Sequence, residues 1–328
     1  EDRYRSTFGI KADLKKCLAG NEDFEIGKED RLNIFQIPQK IYGRENEINH
    51  LINAFRSSVS GNPQMMLISG DAGVGKTALV HELHKYISQE KGLFAEGKFD
   101  QYNRNLPYSA LIQAFQRLIV QLQSGPNLIN KNAANTMLSA LDGNGALMTA
   151  LLPELEQWIG VQPEIGRVNP EESTNRFFMT FARLIEGLTH NERPLVLFLD
   201  DVQWADLSSL QLVEKLILNN RLRKLFIICS YRHNEIPQGH YIFSSVAIIK
   251  QNREVGRIVL HSLSIEAVES LLADTLCTDT GSVKELAELI YKRSKGNSFF
   301  VSEILKDLYK NGYLYFDDLK GIWSWKFN

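Results

Sequence analysis

Short apolar runs alternate along the chain with longer segments in which apolar residues recur every three or four positions. The runs have the length of buried strands, and they are Met65–Ser69, Leu93–Phe99, Leu195–Leu199 and Leu225–Ser230, with Arg257–Leu260 as a candidate for the last strand. Strands that alternate with helices form parallel sheets covered on both faces. The pattern therefore predicts an α/β fold with a parallel sheet flanked by helices.

The segments between these runs have helical periodicity. Helices are predicted at Ala78–Leu83, Pro107–Gln123, Glu171–Leu188 and Ser208–Leu218, with loops and short helices over 124–170. From Ser264 onward the pattern changes to helices only, at Ile265–Leu276, Val283–Ser294 and Phe299–Lys310. The alternating aromatic residues of Tyr313–Phe316 and Ile322–Trp325 then predict a β-hairpin.

These changes of pattern predict four parts. Residues 1–38 are charged and weakly periodic, and we interpret them as a linker with one short amphipathic helix near Ile10–Leu18. Residues 39–262 form the sheet domain and 263–312 an all-helical lid subdomain. Residues 313–328 form a hairpin or the start of a further domain.

The composition of the chain limits the cellular compartment and the classes of binding partner that we expect. The formal charge of the chain is -2, which gives no electrostatic reason to expect a nucleic acid or an anionic membrane. Its three cysteines, Cys17, Cys229 and Cys277, lie far apart and lack metal-ligand spacing. No apolar run approaches the roughly 20 residues that a membrane helix needs. We expect a cytoplasmic protein with reduced thiols and no membrane segment.

The first strand runs directly into a Gx4GKT phosphate-binding loop at residues 70–77. Glycines in such a loop let backbone N–H groups turn toward phosphates, and the following helix points its positive end at them. Lys76 adds a cation for the outer phosphates, and the Thr77 hydroxyl suits Mg²⁺. The candidate nucleotide contacts are Gly70, Asp71, Ala72, Gly73, Val74, Gly75, Lys76, Thr77 and Ala78.

Two acids, Asp200 and Asp201, end the apolar strand that begins at Leu195. We assign Asp200 to Mg²⁺, directly or through water, and Asp201 to polarising the attacking water. The alternative is that the pair caps the following turn, a common role of aspartate.

Arg232 follows the next apolar strand, Leu225–Ser230. If that strand lies beside the strand of Asp200, Arg232 reaches the γ-phosphate side and can sense that phosphate. The alternative is a surface arginine paired with an acid.

The motifs together resemble a known family. They are Tyr42-Gly43-Arg44-Glu45, the loop at 70–77, the stretch from Leu197 to Asp206, Ser230-Tyr231-Arg232 and Gly296-Asn297-Ser298-Phe299-Phe300. This set resembles the STAND class of AAA-related P-loop ATPases. Phe35–Lys40, Gly97–Gln101, Arg104–Ala110 and Asn175–Phe177 are similar to the ATPase module of bacterial multi-sensor serine/threonine and histidine kinases.

The resemblance implies further roles. Tyr42, Gly43 and Arg44 would pack at the adenine and ribose, although Gly43 could simply stabilise a turn. Arg232 would be the first sensor of the γ-phosphate. Ser298 stands where the family usually has a proline that contacts adenine from the helical subdomain. Adenine specificity, hence ATP or ADP with Mg²⁺, is also an implication of the resemblance.

The leading hypothesis is a nucleotide switch: the module binds ATP, hydrolyses it slowly and signals to other domains of its polypeptide. The catalytic residues would be Lys76, Asp201 and Arg232. Expected partners are adenine nucleotide, other signalling domains and a second copy of the chain. Two alternatives stay open, a non-catalytic nucleotide-bound scaffold and a regulatory part of a protein kinase. This chain lacks the GxGxxG and HRD motifs of protein kinases, so any kinase activity would lie outside it.

Overall fold

The computed structural model describes residues 7–20, 35–103, 106–124, 131–164, 166, 169–189, 193–237, 239–317 and 319–326. Its helices are α1 (Thr7–Leu18), α2 (Glu45–Val59), α3 (Lys76–His81), α4 (His84–Gln89), α5 (Ser109–Ser124), α6 (Lys131–Leu141), α7 (Gly145–Leu151), α8 (Glu156–Ile159), α9 (Pro170–Leu188), α10 (Leu207–Leu218), α11 (Tyr241–Ile249), α12 (Ile265–Leu276), α13 (Lys284–Ser294) and α14 (Ser298–Lys310). Its strands are β1 (Gln64–Gly70), β2 (Leu93–Lys98), β3 (Leu195–Asp200), β4 (Leu225–Tyr231), β5 (Val255–Leu260), β6 (Leu314–Asp317) and β7 (Ile322–Trp325).

The chain divides into two compact units. The larger unit is made of Asn46–Ala72 and Lys76–Leu260. The smaller unit is made of Glu1–Glu45, Gly73–Gly75 and His261–Asn328. The three loop residues Gly73–Gly75 thus pack with the smaller unit, although the chain on both sides of them belongs to the larger one.

A five-stranded parallel sheet organises the larger unit, in the order β2-β3-β4-β1-β5. The three central strands are buried along their whole length, so they are apolar on both faces. Helices cover them, and a core containing Phe115, Phe181 and Leu197 fills the space between sheet and helices. The predicted parallel sheet flanked by helices is confirmed.

The smaller unit packs α12, α13 and α14 around a second core, which includes Leu272, Ile290 and Leu305. β6 and β7 form an antiparallel hairpin. Its Trp323 is buried and lies edge-on to Phe35 and Tyr309. The predicted helical segment and C-terminal hairpin are therefore both present.

Two predictions from periodicity need correction. α5 begins at Ser109 rather than at Pro107, because Tyr108 has a left-handed backbone, with φ at +64°, that a helix cannot contain. α11 was not predicted, although its nine residues pack Val246 and Ile249 into the larger core. None of the helices in the described part of the chain combines the length and apolar character needed to cross a bilayer.

Candidate functional site

The phosphate-binding loop leaves β1 at Gly70 and enters α3 at Lys76. Gly73 and Gly75 have φ values of +78° and +96°, in the region that favours glycine. The Lys76 Nζ donates hydrogen bonds to the carbonyl oxygens of Gly70 at 3.0 Å and Asp71 at 2.9 Å. Burial of this ammonium lowers the pKa of Lys76, while the charges of Asp201 and Asp200 oppose that shift. A buried cation inside a glycine loop suits a phosphate ligand.

Thr77 and Asp200 meet at the end of β3. The Thr77 hydroxyl donates to Asp200 Oδ2 at 3.2 Å, and the carboxylate is buried. Asp200 Oδ1 also accepts hydrogen bonds from the Ser230 hydroxyl and, at 3.1 Å, from the backbone N–H of Asp201. A hydroxyl beside a fixed carboxylate is the oxygen donor set that Mg²⁺ prefers. These two residues therefore fit the ion for which the sequence proposed them.

Asp201 is held by side chains from several elements. Its backbone is left-handed, with φ at +56°, and its carboxylate is buried. Arg232 Nε donates to Asp201 Oδ1 at 3.2 Å, and Gln203 Nε2 donates to the same oxygen at 3.0 Å. Burial raises the pKa of Asp201, but the bonds from Gln203 and Lys98 and the charges of Lys98 and Arg232 outweigh burial and lower it.

Arg232 contacts acids on both sides in this structure. Besides Asp201, its guanidinium reaches Glu235 Oε1 at 2.8 Å through Nη1. β4 does lie beside β3, as the sensor hypothesis requires. The pairing with acids is the alternative that the sequence left open, and the role of Arg232 toward a γ-phosphate stays a prediction.

Lys98 was missed from the sequence. It ends β2, next to β3, and its Nζ lies 3.0 Å from Asp201 Oδ2 and 3.5 Å from Asp200 Oδ2. Burial lowers the pKa of Lys98, but its bond to Asp201 and the two carboxylate charges give a net increase. Its position at the carboxyl end of a predicted strand was the signal that could have found it.

Gln203 has a clearer role than the sequence indicated. It donates to Asp201, and its Oε1 accepts the backbone N–H of Arg232 at 3.2 Å. It therefore ties the end of β3 to the end of β4. Asp206 caps α10 by accepting the Ser209 N–H at 2.8 Å.

Besides Gly73–Gly75, the smaller unit contains the candidate nucleotide contacts Tyr42, Gly43, Arg44 and Ser298. The Tyr42 hydroxyl donates to Asp274 Oδ2 at 2.9 Å, and Arg44 Nη2 donates to the His261 carbonyl. Gly43 has φ at +62°, in the region that favours glycine. Ser298 Oγ donates to the Gly73 carbonyl at 2.7 Å. Ser298 therefore contacts the glycine loop directly.

His81 ends α3, His84 begins α4, and the two side chains contact each other. His81 Nε2 lies 3.1 Å from Glu96 Oε2, and the two imidazole rings meet edge to face. Among the described residues, no group of three or more histidine, cysteine, aspartate or glutamate side chains is arranged to hold a metal ion.

Comparison with known proteins agrees with this geometry. The chain is similar to the hybrid signal transduction histidine kinase G of Dictyostelium discoideum, with 25% identity over 99% of this chain and 12% of that protein. It is 22% identical to the peroxide stress-activated histidine kinase mak3 of Schizosaccharomyces pombe, over 99% of this chain and 17% of the other. Adenylate cyclase type 10 of Rattus norvegicus is 21% identical, over 89% of this chain and 18% of that protein. The chain thus spans less than a fifth of each relative.

Among solved structures, the Cdc6p protein of Pyrobaculum aerophilum superposes with a TM-score of 0.47 and 13% identity, covering 84% of this chain and 65% of that one. The model of the AAA ATPase domain family matches residues 40–228, which is more than half of the sequence. This match includes the glycine loop, both acids at the end of β3 and the first four residues of β4. The chain therefore belongs to the AAA ATPase domain family.

Proposed function

We propose that this chain binds ATP with Mg²⁺ at the loop Gly70–Thr77, hydrolyses it slowly and acts as a nucleotide switch in a multidomain signalling protein. The observation that carries the proposal is the 3.2 Å hydrogen bond between the Thr77 hydroxyl and Asp200. It joins the loop that would hold the phosphates to the strand end that would hold the metal ion. The Thr77 hydroxyl and the Asp200 carboxylate would both offer oxygen atoms as ligands, which Mg²⁺ prefers.

Each site residue would have its own role in ATP binding and hydrolysis. Lys76 and the loop N–H groups would bind the phosphate oxygens, and Thr77 with Asp200 would ligate Mg²⁺. Bound Mg²⁺ would neutralise charge on the outer phosphates. Asp201 would orient the attacking water and accept its proton, and Arg232 lies within hydrogen-bond distance of Asp201.

The contacts of Asp201 support slow hydrolysis. A general base works best with a pKa near the working pH, whereas hydrogen bonds and nearby cations lower the pKa of this carboxylate. Lys98, Arg232 and Gln203 all donate to it. A carboxylate with such partners is a weak base, which suits a switch that keeps its nucleotide for a long time.

Helix α14 offers a way to report the state of the glycine loop. The Gly73 carbonyl accepts hydrogen bonds from Ser298 Oγ at 2.7 Å and from the Phe299 backbone N–H at 3.0 Å. These residues all belong to the smaller unit. A change of the loop on phosphate binding would therefore alter two hydrogen bonds at the start of α14. Tyr42, Gly43 and Arg44 remain our candidates for the adenosine.

The partners follow from the relatives. Two of them are named as histidine kinases, and this chain matches only a small part of each. We therefore propose that the switch acts on other domains of its own polypeptide, in the cytoplasm, with self-association as a further mode. STAND-type signalling is the class that this combination fits. We expect no nucleic-acid partner, because the chain has a net charge of -2.

A non-catalytic scaffold is the second candidate, and the contact of Lys98 with both acids favours it. Single-turnover phosphate release separates the two functions. The switch requires measurable release that drops at least tenfold in Asp201→Asn while ATP affinity changes little. Equal release from both proteins would favour the scaffold. Radiolabel that appears on a protein substrate instead of free phosphate would favour kinase chemistry.

A further inference from the structure

A cavity of about 760 Å³ opens at the end of the sheet where the central strands β3 and β4 begin. It lies between the end of α2, the last turn of α9 and the segment 220–225. A second hollow of about 530 Å³ shares Gly61, Asn220 and Arg223 with it, so the two are neighbouring parts of one groove. Asp200 is the last residue of β3 and Asp201 follows it, at the opposite end of the strand from the groove, so the groove is separate from the proposed nucleotide site.

The groove is strongly basic. Among the residues that the structure describes, five cationic side chains line it, Arg193, Arg221, Arg223, Lys224 and Arg253. Two carboxylates, Glu186 and Glu254, lie among them. This excess of positive charge occurs on a chain whose net charge is -2, so it is a local feature.

Two of these cations have structural roles. Arg193 Nε donates to the Lys91 carbonyl at 3.0 Å, and Arg253 Nε donates to the Ile217 carbonyl at 3.3 Å. Arginines at helix ends and loops commonly satisfy such carbonyls. These contacts explain Arg193 and Arg253 without a ligand.

Arg221 and Arg223 are not explained in this way. The side chain of Arg221 is 72% exposed and meets Glu186 only at 4.0 Å. Arg223 is exposed, and its guanidinium has no hydrogen-bond or ion-pair partner among the described residues. An exposed pair at that distance contributes little stability. The guanidinium groups of Arg221 and Arg223 therefore lie in one concave groove without a contact that stabilises the fold appreciably.

We propose that this groove binds an acidic polypeptide segment. Guanidinium groups bind carboxylates through paired hydrogen bonds, and the groove has room for several residues. Glu186 and Glu254 would repel the evenly charged backbone of a nucleic acid, whereas a peptide can place neutral residues opposite them. The groove would then dock an acidic segment of a separate partner protein.

The test uses the whole chain and a fluorescein-labelled peptide of alternating glutamate and serine, eight residues long, measured by anisotropy at low salt. The variant Arg221→Gln/Arg223→Gln should bind it about tenfold more weakly. The control Lys85→Gln/Arg117→Gln removes the same charge from exposed positions outside the groove and should stay within about twofold of the unaltered chain.

Equal affinity of the two double variants would overturn the proposal. Tighter binding of a single-stranded oligonucleotide of equal charge, or displacement of the peptide by equimolar tripolyphosphate, would also overturn it by pointing to a different ligand. Lys76→Ala should leave peptide affinity unchanged. That result separates failure of this site from failure of the proposed nucleotide site.

Discussion

Lys98 Nζ lies 3.0 Å from Asp201 Oδ2 and 3.5 Å from Asp200 Oδ2, so one ammonium at the end of β2 contacts both acids of β3. The Lys98 side chain is 57% exposed, whereas both carboxylates are buried. The Lys98 ammonium faces solvent and neutralises the two buried carboxylates. A metal ion could take its place as their positively charged partner. Lys98 and Mg²⁺ should therefore compete for Asp200.

The first prediction follows from this competition. Lys98→Met should lower the Mg²⁺ concentration that gives half-maximal ATP binding by about two- to fivefold, as expected for loss of one partly exposed ion pair. Titration of Mg²⁺ at fixed ATP by calorimetry measures it. Lys98→Arg keeps the charge and should behave like the unaltered chain. A Mg²⁺ requirement that is unchanged or higher in Lys98→Met would contradict competition.

The second prediction concerns the close approach of Gly73 to α14. A Cβ at Gly73 would lie 2.8 Å from Phe299 Cβ and 2.9 Å from Asn297 Oδ1, and its φ of +78° is unfavourable for alanine. Gly73→Ala should lower the free energy of unfolding by about 2–4 kcal/mol. Urea denaturation measures this change.

Gly312→Ala is the matched control for the second prediction. Its φ is +71°, and no atom lies within 4 Å of the added Cβ, so it carries backbone strain without the clash. We expect it to cost about 1 kcal/mol. Equal losses in the two variants would show that the contact with α14 does not constrain Gly73.

The third prediction tests the hydrogen bond from Ser298 to the loop. Ser298→Ala removes the donor to the Gly73 carbonyl and should cost about 0.5–1.5 kcal/mol of stability. Ser298→Pro loses the same hydroxyl but suits the first residue of α14. It should therefore be at least as stable as Ser298→Ala. If Ser298→Ala has the same free energy of unfolding as the unaltered chain, this hydrogen bond does not stabilise the protein and the prediction is wrong.

The fourth prediction concerns pH. Burial lowers the pKa of Lys76 from its ordinary 10.5. A cation that binds phosphate is lost when pH rises above its pKa in the free protein, so ATP affinity should decline on the alkaline side sooner than an ordinary lysine would allow. Fluorescent ATP analogue titrations between neutral pH and pH 10 measure this decline. Lys76→Arg keeps its charge in that range and should remain flat; a flat profile for the unaltered chain would contradict the prediction.

Much of the fold was predictable because its signals are local. The apolar runs gave β1 and β3 to within one residue at either end, and helical periodicity gave α12 without error. α11 was missed because its nine residues are apolar on nearly every face and carry little helical periodicity. The start of α5 was missed because the left-handed backbone of Tyr108 is imposed by tertiary contacts, including Asp206 and Ser209.

Site residues that belong to a sequence motif could be predicted. Site residues that are brought together only by the packing of the strands could not. Thr77 and Asp200 were placed by their motifs and do meet at 3.2 Å. The role of Lys98 depends on β2 lying beside β3, a strand order that periodicity cannot supply. The same holds for Gln203, whose partners belong to two different strand ends.

Binding of ATP with Mg²⁺ by the purified chain, compared with Lys76→Ala, tests the central claim most directly. Lys76 Nζ lies within the glycine loop, so loss of this cation should weaken ATP binding at least tenfold without unfolding the sheet. Isothermal calorimetry with ATP, ADP and GTP on one preparation also tests the adenine preference. ATP binding that Lys76→Ala weakens at least tenfold is the predicted result. No binding, or equal affinity in the two proteins, would contradict the account.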